Sequence, residues 1–264
     1  MSFRTTSLCA AIGLALTLLS PAHAAESTTE SSRAVAADTY IKPVIGGIYG
    51  RGANGPGSYA TLIDVHAIKK DKGKPGGGGV ANCSNAGAES GTFLYTGWKV
   101  GGNRTAYLNT STVPGSAGNV TTALQASWNV WRVDAAVPSV SVSTAGTVTR
   151  YTANRNYDIM WGRTGGSLAT TYTWRWNDGY IESDVVFDTG VTWAQLGSEG
   201  DGCYETAGSR YDVANIATHE FGHAYGLDHS SGARFETMYA YGYSGETLKR
   251  SPASGDRAGV SALY

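Results

Sequence analysis

The stretch HEFGHAYGLDH, residues 219–229, decides how this chain folds around its functional site. Residues 212–225 are predicted to form a helix, which Gly226 then ends because glycine readily adopts the left-handed backbone of a helix C-terminus. His219 and His223 are four residues apart, so both imidazoles lie on one face of that helix. The chain then turns back and presents His229 to the same place.

Three imidazoles that converge in this way are suited to a metal ion. Three protein ligands leave the fourth tetrahedral position for water, which is the arrangement of catalytic rather than structural zinc. Glu220, next to His219, is predicted to take the proton of the attacking water and to pass it to the leaving amine. The alternative is a helix with solvated histidines, which must explain why three of the five histidines fall within residues 219–229.

The pattern H-E-x-x-H-x-x-G-x-x-H is that of the metzincins, in which a methionine turn follows. Met238, in Thr237-Met238-Tyr239, resembles that methionine, although by itself it is typical of an ordinary core residue. Within the metzincins the chain most resembles the matrixins over about residues 90–264. Three features carry this resemblance: Ser230 after the third histidine, Met238-Tyr239 where matrixins have M-Y-P, and a closing segment that ends in Leu-Tyr.

The resemblance implies an α+β fold of the zincin type. It would contain a twisted mixed five-stranded sheet, an active-site helix, a methionine turn and a C-terminal helix. Residues 184–188 resemble the edge strand of the matrixin sheet, so substrate is expected to pair with that strand in an extended, antiparallel form. The substrate pocket is accordingly assigned to Tyr239, Val185 and Val186.

The metal content is also implied by the resemblance. One catalytic zinc is expected, because His66 is the only other histidine after the export signal and a second, three-histidine zinc site cannot be assembled. Ala240 stands where astacins and serralysins carry a tyrosine ligand, so a fifth ligand is not expected. Matrixins also bind calcium through turn carboxylates. The acids that could do so, or that could simply be solvated, are Asp178, Asp184, Asp188, Glu199 and Asp201.

Residues 1–24 have the pattern of an export signal. An apolar run is followed by Ala22-His23-Ala24, an A-x-A cleavage site, and the run is too short to cross a bilayer of about 30 Å. The mature protein is therefore predicted to be secreted. Cys83 and Cys203 remain after cleavage and are predicted to form a disulfide in an oxidising compartment, the alternative being two free buried thiols.

The mature chain divides near residue 80. Residues 69–79 contain four successive glycines and resemble a linker, so residues 25–80 are treated as an N-terminal segment and residues 81–264 as the catalytic domain. The N-terminal segment is either a pro-segment that covers the cleft until it is cut or a simple extension. A pro-segment would have to block zinc through Cys83, Asp64 or His66.

The net charge and the motifs limit the classes of function that we expect for this chain. A formal net charge of -1 gives no reason to expect nucleic acid or an anionic membrane as a partner. The leading hypothesis is a monomeric zinc endopeptidase that acts on proteins or peptides. The alternatives are a secreted zinc-binding or adhesion module without turnover, which has no need of Glu220, and a hydrolase of another bond.

Overall fold

A computed structural model describes residues 48–51, 58–70, 92–133, 135–197, 209–230 and 235–264. The predicted export signal, most of the predicted linker, and both Cys83 and Cys203 lie outside these residues. Within them, the helices are all too short or too polar to cross a membrane.

Strands and helices are interleaved along the described part of the chain. The strands are β1 (Ile48–Arg51), β2 (Tyr59–Lys70), β3 (Arg104–Leu108), β4 (Val140–Ser143), β5 (Tyr157–Gly162), β6 (Ser167–Trp176), β7 (Ile181–Asp188), β8 (Thr192–Ala194), β9 (Arg210–Asp212) and β10 (Tyr241–Gly242), and the helices are α1 (Val120–Asn129), α2 (Val213–Tyr225) and α3 (Ser254–Leu263).

The main sheet is mixed, which confirms the predicted α+β class. Its order is β1-β2-β6-β7-β5-β3-β4, with β10 added beside β2. The run β4-β3-β5-β7 is parallel, and β6 joins it in the antiparallel sense. These five strands correspond to the predicted sheet. The structure enlarges it to eight strands, because β2 continues it beyond β6 and carries β1 and β10 with it.

The expectation that residues 184–188 form an open edge is wrong. They belong to β7, which lies between β5 and β6, so that Val186 is paired with Met160 on one side and Thr170 on the other. Val185 and Val186 are only 1% and 4% exposed and cannot pair with a substrate as edge residues. Every residue of β7 is buried, which is typical of a central strand covered on both faces.

Helices α1 and α2 pack together against the sheet through large aromatic side chains. The rings of Trp128 and Phe221 stack with centroids 3.9 Å apart and planes inclined by 7°. The indole N–H of Trp131 donates to the carbonyl of Thr218 at 2.9 Å. This contact satisfies a buried donor and fixes α1 against the helix that carries two of the predicted metal ligands.

Gly222 allows this packing because it has no side chain. A Cβ atom at this position would lie 2.3 Å from Sδ of Met238 and 2.7 Å from Cζ2 of Trp131. Glycine inside a helix costs about 0.5–1 kcal/mol relative to alanine. The close approach of Met238 to the helix explains why glycine is present despite that cost.

We predict that Gly222→Ala destabilises the fold. The added methyl must displace the Trp131 ring or the methionine thioether, and overpacking of this kind costs about 1–3 kcal/mol in free energy of unfolding. Denaturant unfolding measures the change. Gly115→Ala is the matched control, since a Cβ there has no atom within 4 Å. Equal stability of the two variants would contradict the packing argument.

Candidate metal centre

Helix α2 begins and ends with defined caps. The Asp212 carboxylate accepts the N–H of Asn215 at 2.8 Å, and Gly226 ends the helix with φ of +110°. A Cβ atom at Gly226 would lie 2.2 Å from the carbonyl oxygen of Trp98, so no other residue fits there. The left-handed turn predicted from the sequence therefore reverses the chain three residues after the second histidine.

The three predicted ligands converge on one point. The Nε2 atoms of His219 and His223 are 3.1 Å apart, those of His219 and His229 3.3 Å, and those of His223 and His229 3.2 Å. Tetrahedral zinc, with Zn–N bonds of about 2.0–2.1 Å, places two ligand nitrogens about 3.3 Å from each other. The triangle of Nε2 atoms therefore has the size that a zinc ion requires.

Two of the imidazoles are oriented by backbone carbonyl groups. Nδ1 of His219 lies 2.6 Å from the carbonyl oxygen of Thr237, and Nδ1 of His223 lies 2.8 Å from that of Leu227. A carbonyl can only accept, so each Nδ1 carries the proton and each Nε2 presents its lone pair. Burial lowers the pKa of both histidines well below the usual value, which keeps them in the neutral form that binds metal.

Glu220 is fully buried beside these ligands. Its Oε2 accepts the hydroxyl of Thr171 at 2.5 Å, and its Oε1 accepts the backbone N–H of Ile68 at 3.3 Å. Burial raises the pKa of Glu220 to about 8, although both hydrogen bonds lower it. A zinc ion on the adjacent imidazoles would lower this pKa, which favours the carboxylate form that acts as a base.

The methionine turn packs against helix α2 and is hydrogen-bonded to helix α3. Met238 is 2% exposed and contacts α2 at Gly222, as the resemblance implied. Asp256, at the start of α3, accepts the N–H of Thr237 at 2.7 Å and that of Met238 at 3.2 Å. Since the carbonyl of Thr237 orients His219, the C-terminal helix is linked to the metal ligands through this turn.

Tyr239 follows the turn and is half-buried. Its ring lies 5.5 Å from Nζ of Lys249 and 5.5 Å from the ring of Tyr241. Lys249 is itself buried and paired with Glu246 at 3.1 Å. These contacts hold the segment after the turn in place, and the assignment of Tyr239 to a pocket wall stays a prediction.

Strand β2, from the N-terminal segment, enters the site. Besides the contact of its Ile68 N–H with Glu220, it brings His66 against a ligand: the rings of His66 and His223 stack with centroids 4.1 Å apart. Nε2 of His66 lies 2.8 Å from Oδ1 of Asp228, and its Nδ1 lies 3.2 Å from Oδ2 of Asp64. Both nitrogens therefore face carboxylates, and His66 acts as an anchor rather than as a ligand.

Three further residues contribute to the site and were not predicted from the sequence: Thr171, Asp228 and Ile68. Asp228 accepts the N–H of His229 at 2.7 Å and contacts His66 at 2.8 Å. Its place directly before His229 was the available signal. Thr171 and Ile68 belong to distant strands and have no local signature.

The structure describes three of the acids considered for calcium, and each of them accepts hydrogen bonds from, or pairs with, other groups of the protein. Asp184 accepts the backbone N–H groups of Thr152 and Asp158 at 2.9 and 3.0 Å. Asp188 pairs with Lys70, and Asp178 with Arg155, whereas Glu199 and Asp201 lie outside the described residues. Among the described residues, only the three histidines form a group with metal-binding geometry.

Comparison with known families agrees with this geometry. Residues 107–264, more than half of the chain, match the family model Peptidase_M10, described as Matrixin. A comparison with curated proteins returns no match. All three histidines and Glu220 lie within the matched residues, and matrixins are zinc-binding metalloproteases. The chain belongs to the matrixin family of metalloendopeptidases.

Proposed function

We propose that this protein is a secreted endopeptidase in which His219, His223 and His229 hold one zinc ion and Glu220 is the general base. The observation that carries the proposal is the triangle of Nε2 atoms, 3.1–3.3 Å on each side, next to a buried carboxyl group. A zinc ion held there supplies a Lewis acid for the scissile carbonyl and lowers the pKa of a water molecule.

The protein's own groups perform the remaining steps. Glu220 takes a proton from the attacking water and gives it to the nitrogen of the leaving amine, which completes hydrolysis of the peptide bond. Thr171 holds one carboxylate oxygen of Glu220, so that the other oxygen is the one that can move the proton. The carbonyls of Thr237 and Leu227 keep the ligand imidazoles in the correct tautomer.

The remaining parts of the proposal concern the protein as a whole. The apolar run that ends at Ala24 supports export, and an oxidising destination supports a disulfide between Cys83 and Cys203. We further propose protein or peptide substrates, a monomeric enzyme and a catalytic domain from residue 81 to 264. The shortage of histidines supports one zinc per molecule, so any further ion is calcium.

We predict that Glu220→Gln retains zinc and loses proteolysis. The amide cannot accept a proton, and loss of general acid–base catalysis lowers turnover by about 10²–10⁴-fold. His223→Ala should lose zinc as well, since two imidazoles hold the ion poorly. Elemental analysis gives the zinc content, and casein cleavage with and without a chelator gives the activity.

The control for this series is Asp178→Asn, a carboxylate-to-amide change at an exposed side chain that pairs with Arg155 at 2.8 Å and accepts the N–H of Tyr180 at 3.1 Å. It should match the parent chain in both measurements. Full activity of Glu220→Gln would refute the mechanism, and two tightly bound zinc ions per molecule would refute the metal count.

We also predict that Thr171→Val slows turnover and shifts its pH dependence. A hydrogen bond to a charged group contributes about 1.5–3 kcal/mol, so kcat should fall by about ten-fold or more. The hydroxyl favours the ionised form of Glu220, and its removal raises the pKa of that carboxyl. A base acts when deprotonated, so the acidic limb of the kcat/KM profile should move to higher pH.

Thr173→Val is the matched control, because Thr173 lies two residues along the same strand and its hydroxyl is bonded to Ser183 at 3.0 Å. The control should keep the pH profile of the parent chain. An unchanged profile in Thr171→Val would show that this hydroxyl does not act on Glu220.

A further inference from the structure

We propose that β2 is a built-in occupant of the substrate cleft, bound in the orientation of a substrate, so that the folded chain is latent until β2 leaves. This inference rests on the proposed function, since it concerns access to the same site. It depends on four observations: strand pairing, the Ile68 N–H group, the Ile68 side chain and the anchors at the ends of the strand.

The backbone of β2 is paired on both sides of the site. On one side it runs antiparallel to β6, from Ala60 opposite Trp176 to Lys69 opposite Ser167. On the other side it runs parallel to β10, and the N–H of Lys69 donates to the carbonyl of Ala240 at 2.9 Å. A substrate that paired with the free edge of β6 would need the hydrogen-bonding groups that β2 already uses.

The N–H of Ile68 marks the reacting position. Glu220 must deliver a proton to the leaving amine, so the amide nitrogen bonded to Glu220 occupies the place of that amine. In this structure that nitrogen belongs to Ile68, 3.3 Å from Oε1 of Glu220. The Ala67–Ile68 peptide bond therefore lies where the scissile bond of a substrate would lie.

The side chain of Ile68 fills an apolar seat next to this bond. It is 0% exposed and belongs to the main hydrophobic core. The residues around this seat are identified from Gly242, which lies beside it. A Cβ atom at Gly242 would lie 2.9 Å from Cδ1 of Leu168, 3.0 Å from Cδ1 of Ile216 and 3.2 Å from Cδ1 of Ile68. Glycine in β10 leaves the space that the isoleucine methyl occupies.

Two polar side-chain contacts hold the strand on either side of Ile68. His66 contacts Asp228, the residue before the third ligand, at 2.8 Å. Lys70 contacts Asp188, at the end of β7, at 3.1 Å. A strand tethered to its own cleft competes with substrate at an effective concentration of about millimolar, so weak contacts are enough to exclude a dilute peptide.

The test is whether opening the cleft allows a copy of β2 to bind. The probe is a fluorescent peptide of residues 59–70, and anisotropy measures its binding to the zinc-supplemented full chain carrying Glu220→Gln, which prevents cleavage. Ile68→Asp in the chain places a carboxylate in the apolar seat and should release β2. Probe affinity should rise by about ten-fold or more, because the open fraction rises.

The control variants distinguish release of β2 from a general loss of the folded state. Ile68→Val keeps an aliphatic side chain in the seat, and Thr61→Asp adds the same charge near the far end of β2; both should bind the probe as weakly as the parent chain. A probe peptide with Ile68→Asp should not bind the opened chain. If Ile68→Asp does not fold, as shown by circular dichroism, His66→Ala replaces it, and the loss of the Asp228 contact should raise probe affinity several-fold.

Equal probe affinity for the parent chain and the folded variant would overturn the proposal. So would equal casein cleavage by the wild-type chain and by Ile68→Asp with Glu220 intact, since the cleft would then be open already. If Ile68→Asp binds the probe but cleaves no casein, the occupied cleft is supported and the peptidase function fails. A gain in both measurements supports the two proposals together.

Discussion

The hydrogen bonds from two ligand imidazoles to backbone carbonyls are the constraint on which this site depends. They fix the tautomer and the direction of His219 and His223, and each carbonyl is itself fixed by the fold. The carbonyl of Leu227 is placed by the turn at Gly226, and that of Thr237 by the Asp256 carboxylate of α3. The end of one helix and the start of another thus set the geometry of the metal ligands.

The parts of the fold that were predicted correctly are those encoded within a few residues of one another. The expected C-terminal helix is α3 at Ser254–Leu263, and α2, which was expected at residues 212–225, lies at Val213–Tyr225 with Asp212 as its cap. Apolar periodicity and a glycine stop are local signals. The position of β7 in the sheet is not local, which is why its expected place at an edge was wrong.

The residues of the site fall into the same two groups: those that a local sequence pattern predicts, and those that only the fold brings together. The spacing within residues 219–229 was sufficient to identify three converging imidazoles and the adjacent carboxyl group. Thr171 and Ile68 reach Glu220 from strands 49 and 152 residues away, so no sequence window contains their contacts. Residues 59–70 form β2, and nothing in their own sequence identifies β6 as the strand with which β2 pairs.

The pairing of β2 with β6 also affects the behaviour of the protein before any substrate is met. An unpaired strand edge presents a row of N–H and C=O groups that can join another chain and start aggregation. While β2 is in place, these groups of β6 are bonded within the molecule. Under the proposed latency, departure of β2 exposes them, so the open enzyme is the form that tends to associate through its sheet. Solubility and catalytic competence then oppose each other along this one strand.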